Sequence, residues 1–233
     1  MKTIGLLGGM SWESTAHYYQ EINEGIKQRL GGLHSAKICL FSVDFQPIEQ
    51  LQHAGDWPQC AEILSTHAKA VESGGADCLL ICTNTMHKVA PEIEQQLSIP
   101  LIHIADATAA TLVNDGIRKV ALLGTRFTMD EGFYKNRIQD KYNIEVIVPH
   151  SDDQTLVHNI IYQELCQGVI KSQSKEAYLE IIHSLYKRGA EAVILGCTEI
   201  GLLVQQDDTL VKLYDTTLIH AQAAVDFALS EQS

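Results

Sequence analysis

Two similar stretches of one chain end differently, one in a hydroxyl and one in a thiol. The first, GGADCLLICTNTMH, covers residues 74–87, and the second, RGAEAVILGCTE, covers 188–199. Gly75-Ala76-Asp77 aligns with Gly189-Ala190-Glu191, an apolar run follows each, and an offset of 114 residues places Thr83 on Cys197. A lone cysteine is ordinarily a buried apolar residue. Cys197 closes an apolar run and is followed by polar Thr198 and Glu199. At the start of a helix such a thiol is placed to ionise and act as a base. Asn84, Thr85 and Thr198 have two readings. They cap the helices that follow, or with backbone N–H groups they grip an anion such as a carboxylate. His87 is either a proton shuttle or a hydrogen-bonded structural histidine.

Bulk properties narrow the partners. The chain has 233 residues, 45% apolar and 20% charged, with a formal net charge of −12. That length suits one large domain or two compact ones, and the composition is that of an ordinary globular protein. The negative balance argues against a nucleic-acid partner, which wants clustered Lys and Arg. No run of about 18 apolar residues offers a membrane span. The start, MKTIGLLGGM, runs straight into the fold with no small-residue cleavage site, so a cytoplasmic location is expected. Six cysteines (39, 60, 78, 82, 166 and 197) form no C-x-x-C pair and no cluster with His. Free, mostly buried thiols and no metal site are the expectation.

These residues must be positioned by the elements around them. Apolar runs with strand character lie at 3–7, 36–43, 76–82 and 101–104, then at 119–123, 144–148, 190–196 and 210–213. Longer amphipathic stretches separate them. SWESTAHYYQEINEGIKQRLGG opens on Ser11 as a cap and closes at Gly31-Gly32; WPQCAEILSTHAKAVESGG closes at Gly74-Gly75. SKEAYLEIIHSLYKRGA starts at Ser174 and stops at Gly189, and DTTLIHAQAAVDFALSEQ lies at the end. Strands that are apolar throughout, alternating with helices, predict parallel sheets covered on both faces. The repeat extends to KTIGLLGGMS and RKVALLGTRFT, where Leu6-Leu7-Gly8 matches Leu122-Leu123-Gly124 at an offset of 116. The fold class is therefore α/β, with two pseudo-symmetric domains. The first is expected over 1–104 with 214–233 packed back on it, the second over 105–213.

Open parallel sheets bind ligands beyond the carboxyl ends of their strands. LGGMS, ICTNT, LGTRFT and GCTEI all fall there. They make Met10, Asn84, Thr85, Thr125, Thr198 and Glu199 candidate substrate contacts. Two related domains facing each other would place Thr83 and Cys197 on opposite walls of an interdomain cleft. GLLGGM is neither G-x-G-x-x-G nor a Walker loop, and two glycines after a strand are ordinarily a tight turn.

From IGLLGGM through NTMH and LLGT to GCTE, essentially the whole chain resembles the aspartate/glutamate racemase family. The resemblance implies a cofactor-independent racemase of a small amino acid, with two pseudo-symmetric domains, commonly a homodimer. It also implies a cysteine on each wall of the cleft, the second-half one working on the L-enantiomer. The chemistry explains the pair. An α-proton is a very weak acid, so the carbanion needs donors around its carboxylate, and inversion needs removal on one face and delivery on the other. Helix N-termini are expected to tune the thiol toward neutrality. No lysine in a strand-end motif suggests a Schiff base.

The family's Cys-Asn-Thr is Thr-Asn-Thr here, with Cys82 one residue early. One step along a strand points a side chain to the other face, so Cys82 is not expected to replace the missing thiol. The expectation is a racemase with unequal walls, Cys197 as base toward the L-substrate and Thr83 as donor. Where aspartate-specific relatives carry an arginine, FSVDFQPIEQLQHAGDW has none, and Gln52 is the polar contact. IYQELCQG has Cys166 and Gln167 where some relatives have a lysine. Arg126 is either a source of positive charge or a surface residue. Aspartate or glutamate is the first substrate expectation, and neutral polar amino acids compete. A single-cysteine decarboxylase of the arylmalonate type and a non-catalytic amino-acid binding module are the other readings.

Overall fold

The computed structural model describes residues 1–230. The chain forms two compact units, Met1–Ile104 with the segment from Thr217 onward, and Ala105–Thr216. Each holds its own parallel sheet flanked by helices.

In the first unit the sheet order is β2-β1-β3, from β1 (Ile4–Gly8), β2 (Ile38–Ser42) and β3 (Cys78–Ile81). Both pairings are parallel, with Ile4 opposite Ile38 on one side and Cys78 on the other. β1 and β3 are buried throughout. That is why they read as continuous apolar runs rather than alternating ones. α1 (Trp12–Leu30) starts at Ser11, whose side chain accepts the Ser14 N–H. It buries Tyr18, Ile22 and Ile26, one stripe at helical spacing. Glu13 in its first turn and Lys27 and Arg29 in its last complement the helix dipole. α2 (Phe45–Ala54) and α3 (Trp57–Ser73) are capped by Asp44 and Asp56. The short α4 (Ala90–Glu94) follows a 3-10 turn at Thr85–Val89.

The glycine pair after β1 serves a tight turn. Gly9 sits at φ +95°, and a Cβ there would collide with the Val43 backbone. Its N–H donates to Thr15 Oγ1 at 2.8 Å, and that hydroxyl donates to the Ser11 carbonyl at 2.8 Å.

The second unit holds β4 (Lys119–Gly124), β5 (Glu145–Ile147), β6 (Ala192–Gly196) and β7 (Lys212–Asp215) in the order β5-β4-β6-β7, all parallel. Its helices are α5 (Ile104–Asn114, opening in the first unit), α6 (Arg126–Asp130), α7 (Gly132–Tyr142), α8 (Ser151–Gln163), α9 (Ser172–Lys187) and the short α10 (Ile200–Leu203). Val157, Ile161, Tyr178, Ile182 and Leu185 from α8 and α9 pack on Ala121, Leu123, Val193 and Leu195 of the sheet. α11 (Thr216–Leu229) lays Ala221, Ala224, Val225 and Ala228 on Ile4, Leu6 and Tyr18 of the first unit.

Three expectations are corrected. The run at 101–104 is no strand: Leu101 makes one isolated bridge with Leu79, and the chain enters α5 at Ile104. The strand expected at 210–213 is displaced to Lys212–Asp215, because Leu210 is fully exposed and has no face to bury. The two units divide after Ile104 and after Thr216. α9 also opens two residues before the expected Ser174. Among the described residues no helix is long and apolar enough to cross a membrane.

Alternation along β3 decides where its cysteines go. Cys78, Leu80 and Cys82 lie in the cluster with Tyr18 and Ile22, whereas Leu79 and Ile81 lie in the cluster on the opposite side with Leu64 and Val71. Cys82 is fully buried, and burial alone raises its thiol far above the usual range. Cys82→Ala is therefore expected to cost about 1–2 kcal/mol of stability through lost packing, while turnover per folded molecule stays near wild type. Urea unfolding together with active-fraction-corrected kinetics checks both, and deep loss of turnover in a well-folded variant would place Cys82 in the chemistry.

Candidate active site

β6 ends at Gly196, and the chain turns at once through Cys197, Thr198 and Glu199 into α10. The turn is crowded: a Cβ on Gly196 would stand 2.7 Å from the Leu123 carbonyl of β4. Cys197 is 9% exposed and belongs to the core of its unit. Its thiol donates to Glu199 Oε2 at 3.1 Å, and the Thr198 hydroxyl donates to the same oxygen at 2.6 Å. Glu199, 5% exposed, is thus turned toward the sulfur.

This arrangement reverses the expected tuning of Cys197. Burial first, then the Glu199 carboxylate and the Cys166 thiol, push Cys197 well above the ordinary range. The Glu199 backbone N–H pulls the other way and is outweighed. Helix α10 has four residues and presents a carboxylate at its N-cap, so it offers the sulfur little positive field. The resting group is a thiol with an acceptor in place.

The end of β3 is built differently. Thr83 is partly exposed and its N–H donates to the Ile81 carbonyl at 2.8 Å. Asn84 precedes the 3-10 turn without a side-chain capping bond, and Thr85 opens that turn; both are buried. His87 closes the open question about itself. Its Nδ1 lies 2.8 Å from the Thr83 carbonyl, and its Nε2 accepts the Ile104 N–H at 3.2 Å. With both nitrogens on backbone groups, it is a structural histidine and not a shuttle. Burial, then His103 and His220, hold it well below the usual histidine range, so the ring is neutral.

The remaining candidates divide. Gln52, 2% exposed on α2, donates through Nε2 to Met86 Sδ at 2.7 Å, in the turn that follows Thr83. Its Oε1 is buried with no hydrogen-bond partner among the described residues, a costly state for a polar atom. Met10 is packed in the core of the first unit. Thr125 spends its hydroxyl as the cap of α6, accepting from Thr128 N–H at 3.3 Å. Arg126 is exposed and donates to Thr155 Oγ1 at 2.9 Å, which is its surface reading. Cys166 lies in a 3-10 turn, Leu165–Gln167, against the core that holds Cys197. No group of three or more His, Cys, Asp or Glu among the described residues is placed to hold a metal ion. Sequence reasoning missed the contact between Glu199 and the thiol, and it missed His103 and His220 altogether. A carboxylate two residues beyond a strand-end cysteine was the available signal for the first.

Comparison with known proteins bears on these strand ends. The Asp/Glu/hydantoin racemase family profile matches residues 7–224. A Yersinia pestis crystal structure described as a candidate Asp/Glu racemase is 53% identical, covers 99% of this chain and 100% of its own, and superposes with a TM-score of 0.93. An aspartate racemase homologue from Pyrococcus horikoshii is 33% identical, covers 99% and 100%, and gives 0.86. The broad specificity amino-acid racemase of Bacillus subtilis is 20% identical over 99% of this chain and 100% of its own. With the family profile spanning nearly its whole length, the chain belongs to the Asp/Glu/hydantoin racemase family.

Proposed function

We propose that this amino-acid racemase inverts its substrate with its own side chains and no added cofactor, Cys197 acting on the L-enantiomer and Thr83 on the opposite face of the α-carbon. The observation that carries this reading is the 3.1 Å hydrogen bond from the Cys197 thiol to Glu199 Oε2. The thiol passes its proton to the carboxylate, and the thiolate takes the α-proton of the L-substrate. The carbanion takes a proton from the Thr83 hydroxyl, water reprotonates the resulting alkoxide, and the hydroxide so formed removes the proton held by Glu199, which restores the resting thiol, carboxylate and hydroxyl. A sulfur whose pKa is raised is rarely ionised but strongly basic when it is, which suits so weak a carbon acid. Glu199 is then the proton acceptor of Cys197 rather than a substrate contact. Asn84, Thr85 and Thr198 remain the candidates for the substrate carboxylate. The working form on this reading is a cytoplasmic homodimer.

The two half-reactions are unequal. A hydroxyl delivers a proton to a carbanion more readily than it removes one from carbon, because an alkoxide is costly to form. The asymmetry slows one direction at a given concentration and leaves the equilibrium between enantiomers untouched.

Aspartate or glutamate is the substrate that family membership favours. The orphaned Oε1 of Gln52 favours a second reading, neutral polar amino acids whose side chains donate a hydrogen bond. It supplies an acceptor where an acidic side chain also brings acceptors. The B. subtilis relative of broad specificity is consistent with that breadth. A panel of L-amino acids in deuterium oxide, read by NMR, decides between them. Turnover confined to aspartate and glutamate excludes the second reading, and turnover highest on amide or hydroxyl side chains excludes the first.

Cys197→Ser is expected to abolish both racemisation and exchange of the L-substrate's α-hydrogen. Glu199→Gln is expected to lower that exchange about 100-fold, within the range for loss of an acid–base partner. It should also bring the thiolate titration, followed by ultraviolet absorbance, to lower pH, because the carboxylate's charge and hydrogen bond both raise the thiol. Full exchange in Cys197→Ser would put the base elsewhere.

Thr83→Ala is expected to keep exchange of the L-substrate within a few-fold of wild type while cutting inversion by about tenfold or more. Thr83→Cys should raise turnover of the D-enantiomer. Chiral chromatography beside the exchange measurement reads both. Equal exchange of the two enantiomers in wild type, unchanged by Thr83→Ala, would reduce Thr83 to a substrate contact.

A further inference from the structure

The Thr83 turn is held by the ring of His87, four residues along, which also reaches the Ile104 backbone. His87 Nδ1 faces the Thr83 carbonyl at 2.8 Å, so that nitrogen carries the proton. Its Nε2 faces the Ile104 N–H at 3.2 Å, so that nitrogen is bare. The geometry thus fixes one neutral tautomer. His87 also donates its backbone N–H to the Asn84 carbonyl at 3.1 Å. Packed against this ring are His103, with centroids 4.5 Å apart, and His220, at 5.7 Å. His220 lies between Tyr18 Oη, 2.8 Å from its Nδ1, and the Ile102 carbonyl, 2.6 Å from its Nε2. It is therefore the opposite neutral tautomer, and burial lowers its pKa to about 4. His87 ties the Thr83 turn to Ile104, while His220, packed on its ring, ties Ile102 to Tyr18, all three histidines being at least 96% buried.

We propose that His87 is a positioning residue for the reaction, its Nδ1–H and Nε2 bridging the Thr83 carbonyl and the Ile104 amide so that the Thr83 hydroxyl is held where it can meet the carbanion. This rests on Thr83 being the proton donor. The side chain of His87 touches neither substrate nor reacting atoms on this account. It acts through the Thr83 main chain, where a displacement of about 1 Å is enough to cost a large factor in rate.

Two near-isosteric substitutions separate positioning from mere structure. Asn places its amide where Nδ1 stands, two bonds from Cβ, and keeps a donor for Thr83. Gln places its amide where Nε2 stands and keeps a partner for Ile104 while losing the donor. The quantity measured is the ratio of inversion to α-hydrogen exchange for the L-substrate in deuterium oxide, on variants shown folded by circular dichroism. His87→Asn, which keeps the Thr83 contact and loses the Ile104 one, is expected to lower the ratio by no more than about twofold. His87→Gln is expected to lower it about tenfold with exchange itself within a few-fold. His87→Leu, with both contacts gone, should match Gln and stands in for it if Gln does not fold. One ratio shared by wild type, Asn and Gln overturns the proposal. So does a proportional loss of exchange and inversion in Gln and Leu. Thr83→Ala measured alongside separates the failures. If its ratio equals that of wild type, the donor role of Thr83 is wrong. If its ratio falls and that of His87→Gln does not, only the positioning role is wrong.

Discussion

A parallel sheet covered on both faces leaves its strand ends as the places where a polar group can meet both a core and a ligand, and the structure follows from that constraint. β1, β3 and β6 are buried along their whole length and β4 nearly so. None can carry a reactive side chain within the strand without a large desolvation cost. The candidate reactive residues collect instead at 83–85 and 197–199, just past the strand ends. The glycines serve the same constraint: Gly124 and Gly196 pair across β4 and β6, where an added Cβ would meet the opposing carbonyl. The strands can run close together up to the point where the turn begins.

At Cys197 two effects compete, and their sizes decide the resting state. Loss of solvent and the neighbouring carboxylate both favour the neutral thiol, and the Glu199 N–H opposes them with a single hydrogen bond. The single Glu199 N–H is outweighed by loss of solvent together with a facing carboxylate, and the balance lies with the neutral thiol. The cost of a buried carboxylate at Glu199 is in turn reduced by the hydroxyl of Thr198 at 2.6 Å. The Cys-Thr-Glu order places a proton donor, a stabilising hydroxyl and an acceptor within three consecutive residues.

The strands were the legible part of the fold. Runs at 3–7, 119–123 and 190–196 announce themselves because burial on both faces removes alternation, and each contains or closely overlaps an observed strand. The one-residue step between Cys82 and Thr83 was also readable, since a period of two needs no tertiary information; Cys82 joins Cys78 and Leu80 on one side of the sheet. The short run at 101–104 misled because an apolar tetrapeptide serves a bridge and a helix start equally well. In the candidate site the residues could be named from the sequence, but their orientation could not. That Glu199 turns toward sulfur instead of outward depends on rotamers in a turn with no periodicity. The contact of His87 with Ile104 and of Tyr18 with His220 joins residues 17 and 202 positions apart. No local pattern encodes such pairs.

On the proposed mechanism the two strand ends solve opposite problems. One must make a very weak carbon acid give up a proton, which takes a basic sulfur and somewhere for its own proton to go. A buried thiol beside a carboxylate supplies both, at the cost of a small thiolate population. The other must hand a proton to an anion already formed. For that a neutral hydroxyl suffices, provided that it is held in line, because the driving force lies in the carbanion. Holding is what neutral imidazoles do well in a core: each offers one donor and one acceptor without a charge to desolvate. A cation at His87 would turn an N–H toward the Ile104 N–H and break the bridge. Burial that keeps the rings neutral is thus the same property that keeps the Thr83 turn in one conformation, and the asymmetry between thiol and hydroxyl extends into the packing beneath each of them.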